Sequence, residues 1–280
     1  MTTDVLHEPA TIHIRGTDRP RIGASVAELW GRREVLYFLA WRDLTVRYRQ
    51  TVFGVAWALL QPTLMMVVFT VFFGRLAKVP SDGVPYPLFA FAGLLPWQLF
   101  SQSLTASANS LVSNERLVTK VYFPRLAIPI APILTALVDF VLAFLLLLLA
   151  MAYYGIAPTW GILAVPFLIG LTLAAALAAG LGLAALNVEF RDVRHALPFL
   201  VQLWMFATPI AYPASLVPSR WRLLYGLNPL AGVVEGFRWA LVGGVAPGPM
   251  LLVSTATVAI VAWGSLAYFA RVERGLADRI

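Results

Sequence analysis

Leu126-Ala-Ile-Pro-Ile-Ala-Pro-Ile-Leu-Thr-Ala-Leu-Val-Asp139-Phe-Val-Leu-Ala-Phe-Leu-Leu-Leu-Leu-Leu-Ala-Met-Ala-Tyr-Tyr154 is an apolar run interrupted by a single charge, Asp139. It exceeds the roughly 20 residues that carry a helix across a bilayer core. Five more apolar blocks flank it. Val52–Gly74 and Leu88–Ala108 come before, and Gly161–Leu186, Leu197–Tyr212 and Met250–Ala270 come after. Gln98, Ser101, Gln102 and Ser103 dilute the second block, and the fifth is short and carries Pro198 and Pro209. The chain is 60% hydrophobic and 12% charged, with a mean hydropathy of +0.78. Soluble domains carry about 25% charged residues, so these charges are too few to cover a soluble surface. The expectation is an all-α integral membrane protein with six transmembrane helices.

Six spans put both termini on one side, and the basic residues choose the side. Arg15, Arg19, Arg21, Arg32, Arg33, Arg42, Arg47 and Arg49 precede the first block. Arg116, Lys120 and Arg125, then Arg191 and Arg194, then Arg271, Arg274 and Arg279 fall on the same side. The opposite face has only Arg75, Lys78, Arg220, Arg222 and Arg238. By the positive-inside rule the termini are expected in the cytoplasm. The same rule accounts for the net charge of +7 without a nucleic-acid partner. Residues 1–50 contain no signal-peptide pattern, so residues 1–23 read as a flexible cytoplasmic N-terminus.

Residues 24–50 read as an amphipathic helix at the membrane interface. Trp30, Tyr37, Trp41, Leu44 and Tyr48 share one helical face, while Arg32, Arg42, Asp43 and Arg49 point elsewhere. Trp and Tyr suit the headgroup layer, so Tyr37 and Trp41 are expected at that depth among membrane lipids. Arg42 and Arg47 are expected to stay in water or meet a soluble partner. Residues 51–280 then form the six-span domain. Within it, 214–248 is broken by Pro218, Pro229, Gly243 and Gly244. A short helix over Leu230–Val242, re-entering from the outer side, fits that pattern, with Glu235 and Arg238 close enough in register to pair.

The absence of cysteine excludes disulfides and thiolate metal sites, and His7, His13 and His195 lie far apart outside every apolar block. No metal site is expected. Neither lysine lies in a G-x-x-x-x-G-K-[ST] loop, and no H-E-x-x-H or G-x-S-x-G motif occurs. The energy source is therefore expected to lie outside this chain. Asp139 is the one clear acid inside a span. It serves either a functional role or a hydrogen bond between helices. Gln98, Gln102, Thr105 and Asn109 form a polar stripe on one helical face, which either lines a channel or binds neighbouring helices. Trp57 and Trp97 are further candidates to line such a path, since an aromatic face binds apolar surface without desolvating a charge.

The stretch Leu36-Tyr-Phe-Leu-Ala-Trp-Arg-Asp-Leu-Thr-Val-Arg-Tyr-Arg-Gln-Thr51, followed by Gly54-Val-Ala-Trp57 and Leu60-Gln-Pro62, resembles the N-terminal signature of type-2 ABC exporter permeases for polysaccharides. Phe91-Ala-Gly-Leu-Leu-Pro-Trp97, Asn109–Lys120, Pro124-Arg125, Phe190-Arg-Asp192, Leu227-Asn-Pro-Leu230 and Glu235-Gly-Phe-Arg238 extend the resemblance along the chain. The resemblance implies a homodimeric inner-membrane permease bound to two copies of a separate ATPase subunit, where ATP and magnesium would sit. It also implies a lipid-linked polysaccharide substrate such as O-antigen, capsule or teichoic acid. A permease of the same group for a small amphipathic molecule or lipid is the alternative, and a channel or membrane-embedded enzyme without an ATPase is a third class. The resemblance places a coupling helix within Asn109–Arg125. Helical spacing over 109–122 puts Asn109, Ser113, Arg116 and Lys120 on one polar face, so Ser113, Glu115, Arg116 and Lys120 are the expected ATPase contacts. Arg191 and Asp192, in the next connection on that side, are the second candidates.

Overall fold

A computed structural model describes residues 28–49, 56–120 and 124–273, and within them the side chains of 118–120 are excluded. No strand occurs among the described residues. The chain runs through α1 (Arg33–Arg49), α2 (Ala56–Phe69, continued by a π-helical segment Thr70–Leu76), α3 (Tyr86–Ser113) and α4 (Glu115–Lys120). It continues through α5 (Ala127–Tyr153), α6 (Val165–Glu189, entered by a 3-10 turn Trp160–Ala164) and α7 (Val193–Ala207). The last three helices are α8 (Ser219–Tyr225), α9 (Pro229–Val242) and α10 (Gly248–Val272).

Among the described residues, four helices are long and apolar enough to cross a membrane: Ala56–Leu76, Ala127–Tyr153, Trp160–Glu189 and Gly248–Val272. The two remaining expected spans, α3 and α7, fall short for different reasons. α7 has 15 residues, about 22 Å of helix, against a hydrocarbon core of roughly 30 Å. α3 has 28 residues and is about 42 Å long, but it is rich in Ser and Gln. Its placement explains that composition. α3 packs most extensively against α6 and α5, and also against α9 and α2, so most of its residues are buried in protein. A helix sheathed by other helices does not have to be apolar on every face, because its polar groups meet protein.

The main core runs along α3. Leu88, Phe91, Leu94, Leu95, Phe100 and Leu104 meet Phe140, Leu147, Leu168, Ala176, Val233 and Phe237. Trp97 is buried here, with its ring 5.7 Å from that of Phe100, which in turn meets the Trp204 ring edge-on at 4.9 Å. A second cluster closes the far end of the bundle, where Leu111, Leu126, Leu181, Ala185 and Phe269 converge.

α9 is buried along almost its whole length. Its start is fixed by Asn228, whose side chain accepts from the Leu230 N–H ahead of Pro229 at the first helical position. Its end is fixed by Gly243, which takes a left-handed conformation (φ 78°) that suits the C-terminal turn of a helix. Arg238 locks the helix in place. Its guanidinium donates to the carbonyls of Ile210 (2.6 Å), Phe89 (3.3 Å) and Tyr212 (3.4 Å) and pairs with Glu235 (2.9 Å). It also lies 3.6 Å from the centre of the Phe89 ring. Glu235 accepts in addition from the Ala214 N–H at 2.9 Å. A Cβ at Gly93 would stand 2.8 Å from Arg238 Nη2, so glycine is required where α3 passes this cluster. The motifs Phe91–Trp97 and Glu235–Arg238 are thus two halves of one contact.

Candidate functional site

A cavity of about 430 Å³ lies where α1, α2, α3 and α5 meet. α2 contributes Trp57 and Gln61, α3 contributes Gln98 and Gln102, and α5 contributes Asp139 and Phe140. The C-terminal end of α1 brings Arg47 and Tyr48. The helical period explains the set: Trp57 and Gln61, and likewise Gln98 and Gln102, stand four apart and share a face.

The end of α1 is tied to this site by charge. Arg47 Nη1 stands 2.8 Å from Asp139 Oδ2, and Arg47 Nη2 donates to Gln102 Oε1 at 3.4 Å. Tyr48 Oη donates to the other Asp139 oxygen. The Asp139 side chain is 11% exposed and that of Arg47 is 43% exposed, so the pair bridges the protein interior and the open side of the cavity. Burial first, then the hydrogen bond to Asp139, push the Tyr48 phenol up to about 12 against the opposing pull of Arg47. The phenol therefore remains a donor throughout the physiological range. Asp139 thus binds helices together and lines a cavity at once.

The structure places α1 more inward than its charges suggest. Leu39 packs against Ala127 and Ala131, and Tyr48, about 13 Å further along α1, meets Asp139. α1 therefore advances alongside the first half of α5. Arg42 and Arg47 do not simply face water: Arg42 pairs with Asp43 (2.8 Å) and donates to Asn114 Oδ1 (2.9 Å), and Arg47 reaches Asp139. Paired in this way, a guanidinium can be drawn over an apolar surface. Trp30, Tyr37, Phe38 and Trp41 remain exposed, with the Tyr37 and Trp41 rings stacked 6.3 Å apart beside a groove floored by Leu134, Thr135 and Val138.

Other sequence candidates separate. Trp97 is in the core and Thr105 is not among the cavity residues. The polar stripe divides: Gln98 and Gln102 face the cavity, while Asn109 accepts from Asn187 Nδ2 at 3.1 Å, tying α3 to α6. The expected helix over 109–122 is not a single unit. α3 continues to Ser113, the backbone breaks at Asn114 (φ −113°, ψ 29°), and only Glu115–Lys120 form the separate helix α4. Ser113, Glu115 and Arg116 are exposed at this corner, and Leu117 packs beneath it with Leu39 of α1. The Lys120 side chain and residues 121–123 lie outside the described residues. Arg191 and Asp192 are exposed on the tight turn between α6 and α7. Glu235 and Arg238 belong to the α9 lock, away from the cavity. Sequence reasoning missed Tyr48 as the partner of Asp139, and Gln61 as a cavity residue. The amide of Gln61 inside an otherwise apolar block was the available signal.

Four helices of membrane-spanning length and apolarity among the described residues, with a polar, aromatic-walled cavity beside an amphipathic entry helix, have the make-up of a membrane transport domain. The chain belongs to the ABC-2 type transporter family, whose pattern matches residues 34–242. It is 35% identical over 259 residues to the O-antigen export system permease protein RfbA of Myxococcus xanthus, covering 91% of this chain and 98% of that protein. It is 28% identical over 221 residues to an RfbA of Klebsiella pneumoniae, with 76% and 82% covered. It is 25% identical over 215 residues to the polysialic acid transport protein KpsM of Escherichia coli, with 72% and 79% covered.

Proposed function

We propose that this chain is the permease subunit of an ATP-driven exporter that moves a lipid-linked polysaccharide, such as O-antigen or capsule, across the inner membrane. The observation that carries the reading is the convergence of Trp57, Gln98 and Gln102 on one cavity whose wall is closed by the end of α1. Aromatic faces and amides hold sugars without a large desolvation cost, which suits a path that must also release them. Near-complete coverage by the Myxococcus relative supports the substrate class. On this reading α3 and α7 join the four apolar helices as the second and fifth spans, both termini are cytoplasmic, and α9 dips in from the outer side under protein cover.

The single-chain cavity is too small for a polymer, so two copies assemble with the path between them. The exposed apolar side chains of α7, Phe199, Leu200, Leu203 and Phe206, are available to lipid or to that second copy. The exposed corner at Ser113, Glu115 and Arg116 receives one of two ATPase subunits, where ATP and magnesium bind. In cells lacking this chain, the cognate glycan should accumulate inside and disappear from the surface, and the tagged chain should co-purify with an ATPase. Normal surface glycan in the deletion strain would refute the reading.

A further inference from the structure

The cavity has a charge balance that selects among sugars. Among the described residues that line it, the one acid, Asp139, is neutralised by the one base, Arg47, at 2.8 Å, and the Tyr48 hydroxyl occupies the second carboxylate oxygen. The remaining polar groups are amides. Gln102 uses its oxygen for Arg47 and keeps its NH2. The side-chain amides of Gln61 and Gln98 have no hydrogen-bond partner among the described residues, though both border the cavity. An amide offers two donors and two acceptor positions, which matches a hydroxyl that both gives and takes a hydrogen bond. Trp57 supplies an aromatic wall, 54% exposed in the single chain. A volume of about 430 Å³ lies toward the small end of ligand sites, roughly 300–1,000 Å³, enough for a single sugar ring and not for a chain.

We infer that this cavity is a subsite for one uncharged sugar ring, and that the Arg47–Asp139 pair makes it reject acidic sugars. The inference rests on the permease reading. An acidic ring would bring a carboxylate beside Asp139, while Arg47, the one cation lining the cavity among the described residues, is already engaged. Breaking the pair on its acidic side would free the guanidinium and reverse the preference.

The test uses the permease with its ATPase in nanodiscs and saturation-transfer NMR, a readout suited to weak binding. Methyl α-glucopyranoside and methyl α-glucopyranosiduronate are supplied at equal concentration. The wild type should saturate the neutral glycoside several-fold more strongly, and Trp57→Ala should abolish that signal. In Asp139→Asn the uncompensated Arg47 should favour the uronate by roughly tenfold, as expected for one unit charge at a few ångströms in a half-wet site. Arg47→Gln/Asp139→Asn, which is neutral again, should restore the wild-type order. If Asp139→Asn does not insert, Arg47→Gln alone should push the uronate signal to background while keeping the neutral one. Equal saturation of both glycosides by the wild type, indifference to Trp57→Ala, or an unchanged order in Asp139→Asn would overturn the inference. Surface glycan in cells carrying each variant separates the two claims. No glycoside signal with normal, chain-dependent export removes the subsite alone. A Trp57-dependent signal with export that persists without the chain removes the permease reading alone.

Discussion

Glu235→Gln probes the lock on α9 with the least change of shape. The amide keeps an acceptor oxygen for the Ala214 N–H and for Arg238, so what disappears is the negative charge beside a guanidinium only 2% exposed. Removing one partner of a buried ion pair costs about 3–5 kcal/mol, because the other charge is left uncompensated. Arg238→Met acts differently. It strips the donor from the carbonyls of Phe89, Ile210 and Tyr212, and each acceptor buried without a donor costs about 1–3 kcal/mol. Combining the two should not add. Once the cation is gone the carboxylate has nothing to neutralise, so Glu235→Gln/Arg238→Met should be no less stable than Arg238→Met. The coupling between the sites is then at least about 3 kcal/mol, the whole cost of Glu235→Gln. The measurement is the fraction of monodisperse permease that survives heating in detergent, alongside export per inserted molecule. Both singles should lose heat resistance and keep most of their export per molecule. Additive losses in the double variant, or lost export at unchanged heat resistance, would refute the assignment of this pair to the fold.

Gly93→Ala places a methyl group 2.8 Å from Arg238 Nη2 and should destabilise by about 1–3 kcal/mol, the range for overpacking; its heat resistance should fall, and wild-type resistance would contradict the packing. Cysteines at Gln98 and Gln102 should react with water-soluble thiol reagents faster than one at Trp97, which is 4% exposed; equal rates would mean the cavity is dry. Arg116→Glu should insert normally, since Arg116 is exposed and exposed charge changes are usually within about 0.5 kcal/mol. The same variant should reduce co-purification of the ATPase through like-charge contact, and undiminished co-purification with normal export would move the docking surface to the turn at Arg191 and Asp192.

Length and hydropathy read the four long apolar helices from sequence because a bilayer imposes both. They blur at α3 for a physical reason: a helix surrounded by α2, α5, α6 and α9 answers to its neighbours, and Ser103 and Ser107 are admitted by small partners such as Gly180, where a Cβ would stand 2.6 Å from Ser107 Oγ. At the site, Asp139 was legible as an isolated charge in a span, and Gln98 and Gln102 as one face of a helix. The partner of Asp139 was not legible, because Arg47 and Tyr48 lie on another helix far back in sequence and only the path of α1 along α5 brings them near. Periodicity also could not place the break at Asn114, since the stripe Asn109, Ser113, Arg116 and Lys120 continues through it in register. Trp97 reads as a path residue because it is aromatic, yet the helix turns it about 100° away from Gln98, which sends it into the core.

α1 is gripped in two places. Near its middle, Arg42 holds Asn114 and Leu39 packs with Leu117, both at the corner between α3 and α4. At its far end, Arg47 and Tyr48 hold Asp139 deep on α5. A helix is a stiff rod over so short a length, so a rod pinned at a surface corner and at an interior carboxylate behaves as a crank. A force that tilted the corner would be felt at the pinned end, which forms part of the cavity wall. The lever arm is the stretch from Arg42 to Tyr48, fewer than two helical turns or about 9 Å.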